Sequence, residues 1–181
     1  IETGQIDNAI VTVSSHNNGA EKQFRYPVEY GGPKRKTTTF TTTGGTCAYL
    51  SRDKSDIKIE SSTIGIVEDL GVKDVYSMGA VMAPAAANTI YRHLSDLNRT
   101  IDYYDLILTG DLGIYGKDIL KEYMKIEYNI DLKNYDDSAS MIFDIKSEPV
   151  YSGGSGPACL PLVAYSYILD QMRQGKLKKV L

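Results

Sequence analysis

The sequence predicts an α/β fold with a mixed sheet, and three features of the chain support this. Short apolar, β-branched runs alternate with longer helical patterns, as in layered α/β proteins. A threonine-rich stretch at 37–50 and an alternating stretch at 57–67 predict an antiparallel hairpin. A glycine-rich turn at 153–156 leads into residues 158–169, which carry no charge and are apolar nearly all round. Such a helix is typical of a protein interior and is expected to be covered on both sides.

The amino-terminal part predicts one strand followed by irregular structure. Residues 9–13 (AIVTV) form a continuous β-branched run, which predicts a buried strand. The polar residues 14–19 predict a turn. Residues 20–36 are aromatic and charged without a clear period, so we expect an excursion with a functional or interface role. Gly44 and Gly45 interrupt the threonine strand and predict a bulge or a close backbone approach.

The rest of the chain predicts alternating helices and strands. We expect a loop at 74–82, a helix at 84–97, a strand at 104–108, a turn at 109–113, a helix at 114–128 and a strand at 140–145. Pro84 is expected to open its helix, since proline lacks an N–H and fits the first turn. Asp136 and Asp137 are expected in a turn. Gly175 predicts the end of the apolar helix, and residues 178–181 begin another strand.

Composition excludes several classes of function. The 181 residues include 20 basic and 23 acidic side chains, a net charge of −3, so no basic face for nucleic acid is expected. No apolar run reaches the eighteen or so residues of a membrane span. Cys47 and Cys159 lie in apolar surroundings and are expected to be free, buried thiols. The chain opens on Ile1 and stops within a predicted strand, so we interpret it as one lobe of a longer protein.

Few side chains are obvious candidates for chemistry. His93 is expected on a helix as a surface or half-buried structural residue, and His16, in a polar turn, is either structural or functional. Neither has a second ligand at metal spacing, so no metal and no cofactor are expected. Asp111 is expected to cap the helix that follows it, with a functional role as the alternative. The turn beginning at Gly153 either holds an anion at a helix amino terminus or packs closely against a strand.

Four segments resemble one known family. SSHNNGAEKQFRYPVEYGG, TGDLGIYG, NYDDSASMIFD and GGSGPACLPLVAYSYIL, in this order, resemble the stage V sporulation protein AD family of spore-forming bacteria. That family is thiolase-like and similar to ketoacyl synthase III enzymes, which implies a layered α/β/α/β/α sandwich with buried central helices. By this resemblance, residues 1–36 end the first half of the fold and residues 37–181 form most of the second half.

The resemblance also implies a function, because the enzyme positions have changed. Condensing enzymes have a histidine near Thr109 and an asparagine or histidine near Gly154, and neither replacement can act as a base. The family therefore implies a non-catalytic protein that binds dipicolinic acid and supports its uptake into the forespore. The implied setting is a homodimer, peripheral at the inner membrane, with membrane proteins of the same operon. The alternatives are an active acyltransferase using acyl-CoA and a purely structural partner.

Dipicolinate is a small planar dianion, so its site needs donors for two carboxylates and a flat wall. The predicted ligand-binding residues are Gly153, Gly154, Ser155, Thr109, Gly110, Asp111, Arg25 and His16. Arg25 and Lys22 would supply charge and Tyr26 a ring face, whereas Asp111 would repel the ligand unless protonated or paired. A valine at Gly154 is expected to fill the site and leave the fold intact.

Overall fold

The computed structural model describes residues 1, 3–24, 34–74 and 76–181. The strands of this part are β1 Asn8–Ser15, β2 Phe40–Thr41, β3 Gly44–Ser51, β4 Ile107–Thr109, β5 Tyr135–Asp137 and β6 Gly154–Ser155. The helices are α1 Asn17–Phe24, α2 Met78–Asp96, α3 Gly113–Tyr128, α4 Ser138–Met141, α5 Cys159–Val163 and α6 Leu169–Arg173. A π-helical turn, Ala164–Ile168, joins α5 to α6. The predicted α/β class is confirmed at this level.

The described strands form three separate two-stranded sheets, so the single mixed sheet of the prediction is not present in this part of the chain. β1 and β3 are antiparallel, with Asn8 opposite Ser51. β2 and β6 are parallel, as are β4 and β5. Val180 forms a parallel bridge to Leu106, so the predicted strand at 178–181 adds to the free side of β4.

The core lies between α2, α3 and the β4–β5 pair. The two helices approach closely where Gly79 faces Gly116. A side chain would not fit there, since a Cβ on Gly79 would lie 2.3 Å from the Leu112 carbonyl oxygen. Around this crossing, the buried core consists of Ala83, Ala87, Ile90, Leu94, Tyr104, Ile107, Leu112, Leu120, Met124, Leu132 and Tyr135. The crossing fixes where α3 begins, and α3 begins beside the candidate site.

Helix α2 begins six residues before its predicted start. Met78 opens the helix, so Pro84 lies inside it and is buried. Proline has no N–H to give the carbonyl four residues earlier, that of Ala80, and the helix continues without this bond. The face of α2 that is buried carries Ala83, Ala87, Ile90 and Leu94.

The hairpin predicted at 37–67 is wrong in its second strand. Residues 57–67 have no strand pairing, and Ile64 and Val67 are 90% and 96% exposed. β3 pairs instead with β1, whose Ile10 is 69% exposed, so the predicted burial of the 9–13 strand is also wrong in this chain. Apolar and polar residues therefore alternate at 57–67 although this segment pairs with no strand of the described chain.

Two further predicted elements are replaced by different ones. The turn predicted at 14–19 is wrong, because β1 runs to Ser15 and α1 starts at Asn17. Helix α1 then continues to Phe24, into the irregular segment expected at 20–36. The strand at 140–145 is also wrong. Its first residues belong to α4, and the expected turn residues Asp136 and Asp137 lie in β5.

The apolar carboxyl-terminal helix is present but is covered on one side within this chain. Its buried residues Cys159, Val163 and Ile168 are spaced by four and then five, because the π-helical turn intervenes. Tyr165 and Tyr167 on the other side are 40% and 54% exposed. Gly175 takes a left-handed φ of 73° just after the helix, as predicted for its end.

Candidate functional site

The carboxyl ends of four strands meet at one place. The residues directly after β2, β5 and β6 are Thr42, Ser138 and Gly156, and Asp111 lies two positions after the end of β4. The Gly156 N–H donates to Asp111 Oδ2 at 3.0 Å, which ties the loop after β4 to the turn after β6. In open α/β sheets ligands bind at the carboxyl ends of the strands, so this cluster is the candidate site.

Asp137 organises the buried side of this cluster. Its side chain is fully buried and caps α4 by accepting the Ala139 N–H at 3.1 Å. It also accepts the backbone N–H groups of Gly113 at 3.0 Å and Leu112 at 3.3 Å, at the start of α3. Burial raises the pKa of Asp137, and these donated hydrogen bonds oppose the rise.

Thr109, the predicted counterpart of an enzyme histidine, is held within the same network. Its Oγ1 donates to Asp137 Oδ2 at 2.7 Å and lies 2.7 Å from the Tyr135 hydroxyl. Burial raises the pKa of Tyr135, so its phenol stays protonated at neutral pH. Thr109 therefore acts as a link between strands β4 and β5.

Asp111 differs from Asp137 in having one oxygen without a partner. Its backbone is left-handed, with φ of 66°, and its Oδ1 is buried without a hydrogen bond. Burial raises the pKa of Asp111 to about 6; the Gly156 N–H opposes this rise, and the charge of Asp137 adds to it. The expected capping role belongs to Asp137, since Leu112 precedes α3 and makes no side-chain cap.

Cys159 lies at the centre of the cluster and is an unreactive thiol. Its side chain is fully buried, 3.8 Å from Ser138 Oγ, and burial raises its pKa to about 11. Thr42 faces the same sulfur and is 4% exposed, yet its Oγ1 has no hydrogen-bond partner. Cys159 matches the predicted free, buried thiol, whereas Cys47 is free but exposed.

The glycine turn is closely packed. Gly153 has φ of 100°, and a Cβ there would lie 2.1 Å from the Ala139 carbonyl oxygen. A Cβ on Gly154 would lie 2.6 Å from Ile142 Cγ2 and 3.0 Å from Cys159 Sγ. The expectation that Gly154→Val leaves the fold intact is therefore wrong, because no space exists for the larger side chain. The Gly153 N–H already donates to the Val150 carbonyl, and ligand binding at 153–155 stays a prediction.

His16 lies at the edge of the cluster. It is exposed, and its Nδ1 accepts the Gly19 N–H at 3.4 Å at the start of α1. The next residue, Asn17, donates to the Thr41 carbonyl at 3.0 Å, which holds this turn against the end of β2. Arg25 and Tyr26 lie outside the described residues, as does the side chain of Lys22.

His93 is almost fully buried, whereas it was expected at the surface or half-buried. It lies at the opposite end of β4, where Nδ1 is 2.7 Å from Thr63 Oγ1 and Nε2 is 2.6 Å from the Tyr104 hydroxyl. Arg99 donates to the same hydroxyl at 2.9 Å and to Glu60 at 3.1 Å. Burial, followed by the charge of Arg99, lowers the pKa of His93. This network borders a cavity of about 450 Å³.

The described residues contain neither a metal-binding cluster nor a membrane-spanning helix. No three histidine, cysteine, aspartate or glutamate side chains in this part group so as to hold a metal ion. No helix in the same part is long and apolar enough to cross a membrane.

Sequence reasoning missed Asp137, Thr42 and Cys159 as members of one cluster. Asp137 carried a local signal, since an aspartate before a short helical segment is a common cap. The rest depends on contacts between residues more than twenty positions apart, such as Gly113 with Asp137. No local pattern predicts those contacts.

The fold and site define a mixed α/β protein whose strand ends hold a carboxylate-rich cluster with a buried thiol. The chain belongs to the Stage V sporulation protein AD (SpoVAD) family, whose model matches residues 1–181. It is 48% identical over 181 residues to the Stage V sporulation protein AD of Bacillus subtilis (strain 168), covering 99% of this chain and 53% of that protein. The chain thus spans about half the length of this curated relative. The resemblance stated from the four segments is confirmed, and membership supports a role in sporulation.

Proposed function

We propose that this chain is part of a non-catalytic sporulation protein that binds dipicolinate and supports its uptake into the forespore. The observation that carries the proposal is the chemistry of the two positions where a condensing enzyme has its bases. The Thr109 hydroxyl is engaged by Tyr135 and Asp137, and Gly154 has no side chain and no room for one. A carboxylate ligand needs donors and a shaped cleft, and it needs no base.

The competing acyltransferase is disfavoured by the states of the thiols and histidines. Cys159 is buried with a pKa raised to about 11, so almost none of it is thiolate at neutral pH. His93 bonds Thr63 and Tyr104 at the far end of β4, and His16 caps α1. In the described part of the chain, no histidine therefore lies beside Cys159 to act as its base.

The proposal includes a thiolase-like layered sandwich, with residues 1–36 from its first half and 37–181 from its second. Exposed apolar side chains on two surfaces support this, since soluble proteins rarely leave large apolar patches uncovered. One surface is the β1–β3 pair, with Ile10, Val11 and Tyr49 exposed, and the other carries Tyr165 and Tyr167. We further propose a homodimer, peripheral at the forespore inner membrane, that works with membrane proteins of the same operon.

The test is calorimetric titration of the complete protein with dipicolinate, acetyl-CoA and pyridine-2-carboxylate. We expect saturable binding of dipicolinate and weaker binding of the monocarboxylate, which lacks one anionic group. Incubation with acyl-CoA should release no coenzyme A above background. Release at about one turnover per second or faster would contradict the proposal, since that is an ordinary enzyme rate. Absence of dipicolinate binding would contradict it equally.

A further inference from the structure

The strand-end cluster contains buried oxygens that nothing in the described chain satisfies. Asp111 Oδ1 and Thr42 Oγ1 both lack a hydrogen-bond partner, and both side chains adjoin the sulfur of Cys159. Buried polar atoms are nearly always paired, so two orphans beside one sulfur need an explanation. The Cys159 thiol favours the charged form of Asp111 only weakly and gives Oδ1 no hydrogen bond.

The backbone holds Asp111 in this place. Its φ of 66° is left-handed, a conformation that aspartate and asparagine adopt more readily than most residues. Its other oxygen, Oδ2, accepts the Gly156 N–H. The carboxyl group is therefore fixed between the loop after β4 and the turn after β6, among the predicted ligand-binding residues.

No cation in the described chain compensates Asp111. Asp137 and Cys159 are the titratable groups that face it, from β5 and α5. After Asp111 in the sequence, the first basic residue is Lys117 on α3, and it pairs with Asp136 at 2.5 Å. The ends of β1 and β2 contribute the hydroxyls of Ser15 and Thr42 with His16 beyond them, and the turn at 154–157 contributes no charge. Among the described residues, a dianion at this site would therefore meet negative charge only.

We infer that Asp111 recognises the anionic ligand as a neutral acid, so that each dipicolinate bound at this site takes up one proton. The proton resides on the Asp111 carboxyl, which then donates a hydrogen bond where the ionised form would repel. In the same cluster, the Thr42 hydroxyl would donate a second hydrogen bond to the ligand. This inference rests on the proposed function. The raised pKa of Asp111, about 6, supports it, because little additional stabilisation of the acid is needed near neutral pH.

The test counts protons during binding. The complete protein is titrated with dipicolinate at about pH 7 in two buffers of different ionisation enthalpy, and the titration is repeated from about pH 6 to about pH 8. Both ligand carboxylates stay ionised across this range. We expect uptake of about one proton near pH 8, and an affinity that falls up to about tenfold per pH unit above the pKa of the free site.

The decisive variant is Asp111→Asn, which keeps the left-handed backbone and an oxygen for the Gly156 N–H and cannot ionise. It should bind with no proton uptake and with an affinity that is flat from about pH 6 to about pH 8. Asp118→Asn is the matched control, since it removes an exposed charge on α3 and should retain the wild-type pH dependence.

The outcomes separate the two proposals. Wild-type binding without proton uptake, or an unchanged pH dependence in Asp111→Asn, overturns the role of Asp111 and leaves dipicolinate binding standing. Absence of wild-type binding at every pH overturns the proposed function itself. The wild-type proton count needs no variant, so the test holds even if Asp111→Asn folds poorly.

Discussion

The two ends of strand β4 carry polar networks of opposite character. At the amino end, both ring nitrogens of His93 are bonded, and the chain of contacts continues through Tyr104 and Arg99 to Glu60. At the carboxyl end, Asp137 is fully bonded, but Asp111 and Thr42 are not. A satisfied network stabilises the fold, whereas an unsatisfied one costs stability and is kept for another reason. The comparison therefore indicates a structural role for the amino end, and the carboxyl end is where we propose that the ligand binds.

The largest effect is expected from packing at the carboxyl end. In Gly153→Ala the new Cβ would lie 2.1 Å from the Ala139 carbonyl oxygen at a φ of 100°, so the complete protein should fail to fold or lose more than about 4 kcal/mol. Gly175→Ala is the matched control. Its φ is 73° with nothing within 4 Å, and it should cost only about 1 kcal/mol. Urea unfolding of the two variants measures this; equal losses would mean that close packing is not the cause.

The next effect separates the two carboxylates of the carboxyl end. Asp137→Ala leaves the N–H groups of Leu112, Gly113 and Ala139 without their acceptor and removes a helix cap. We expect a loss of about 3 kcal/mol in the free energy of unfolding. Asp111→Asn should cost much less, because it keeps an acceptor for Gly156. If chemical denaturation gave the reverse order, the distinction between the bonded and the unpartnered carboxylate would fail.

The pH dependence of stability should distinguish the two ends by its sign. The pKa of His93 is lowered by burial, so its contribution is complete above the ordinary value of 6.5 and is lost as pH falls through the lowered value. The pKa of Asp111 is raised from 3.8 to about 6, so its contribution is complete below 3.8 and is lost as pH rises through about 6. The stability of His93→Gln relative to the wild type should therefore increase as the pH falls. The stability of Asp111→Asn relative to the wild type should increase as the pH rises to neutrality. Thermal melts at several pH values test this, and curves parallel to the wild type would contradict it.

The smallest effect is expected at the amino end. In Glu60→Gln the ion pair with Arg99 becomes a hydrogen bond from the charged guanidinium to a neutral amide oxygen, and the pair is partly exposed. Surface pairs of this kind contribute about 0–1 kcal/mol. Tyr103 donates to the same carboxylate, so the network keeps other contacts. A loss above about 2 kcal/mol in urea unfolding would show that the amino-end network depends on this charge.

Helix α3 and the turn before it were predicted within one residue, because glycine placement and helical period are local signals. The start of α2 was missed, since Pro84 is tolerated where tertiary packing holds the helix on both sides of it. The strand at 57–67 was predicted from alternation alone, which reports side-chain pattern and says nothing of whether a partner strand exists. The sequence left two roles open for the glycine turn, close packing and anion binding. The short distance from Gly154 to Cys159, which no local pattern predicts, shows that the turn is closely packed. The family was predicted from its four segments because those segments are long and specific.

The π-helical turn in the last helix has a consequence for chain length. Cys159, Val163 and Ile168 share a buried face although the last two are five positions apart, so the turn absorbs one residue beyond regular α-helical spacing. Removing Ser166 would restore a spacing of four and keep these three side chains on one face. A deletion at most other positions would rotate the remainder by about 100° and bring exposed side chains inward. Among related sequences, length differences within this helix are therefore expected to fall between Ala164 and Ile168, where they alter only the exposed tyrosines.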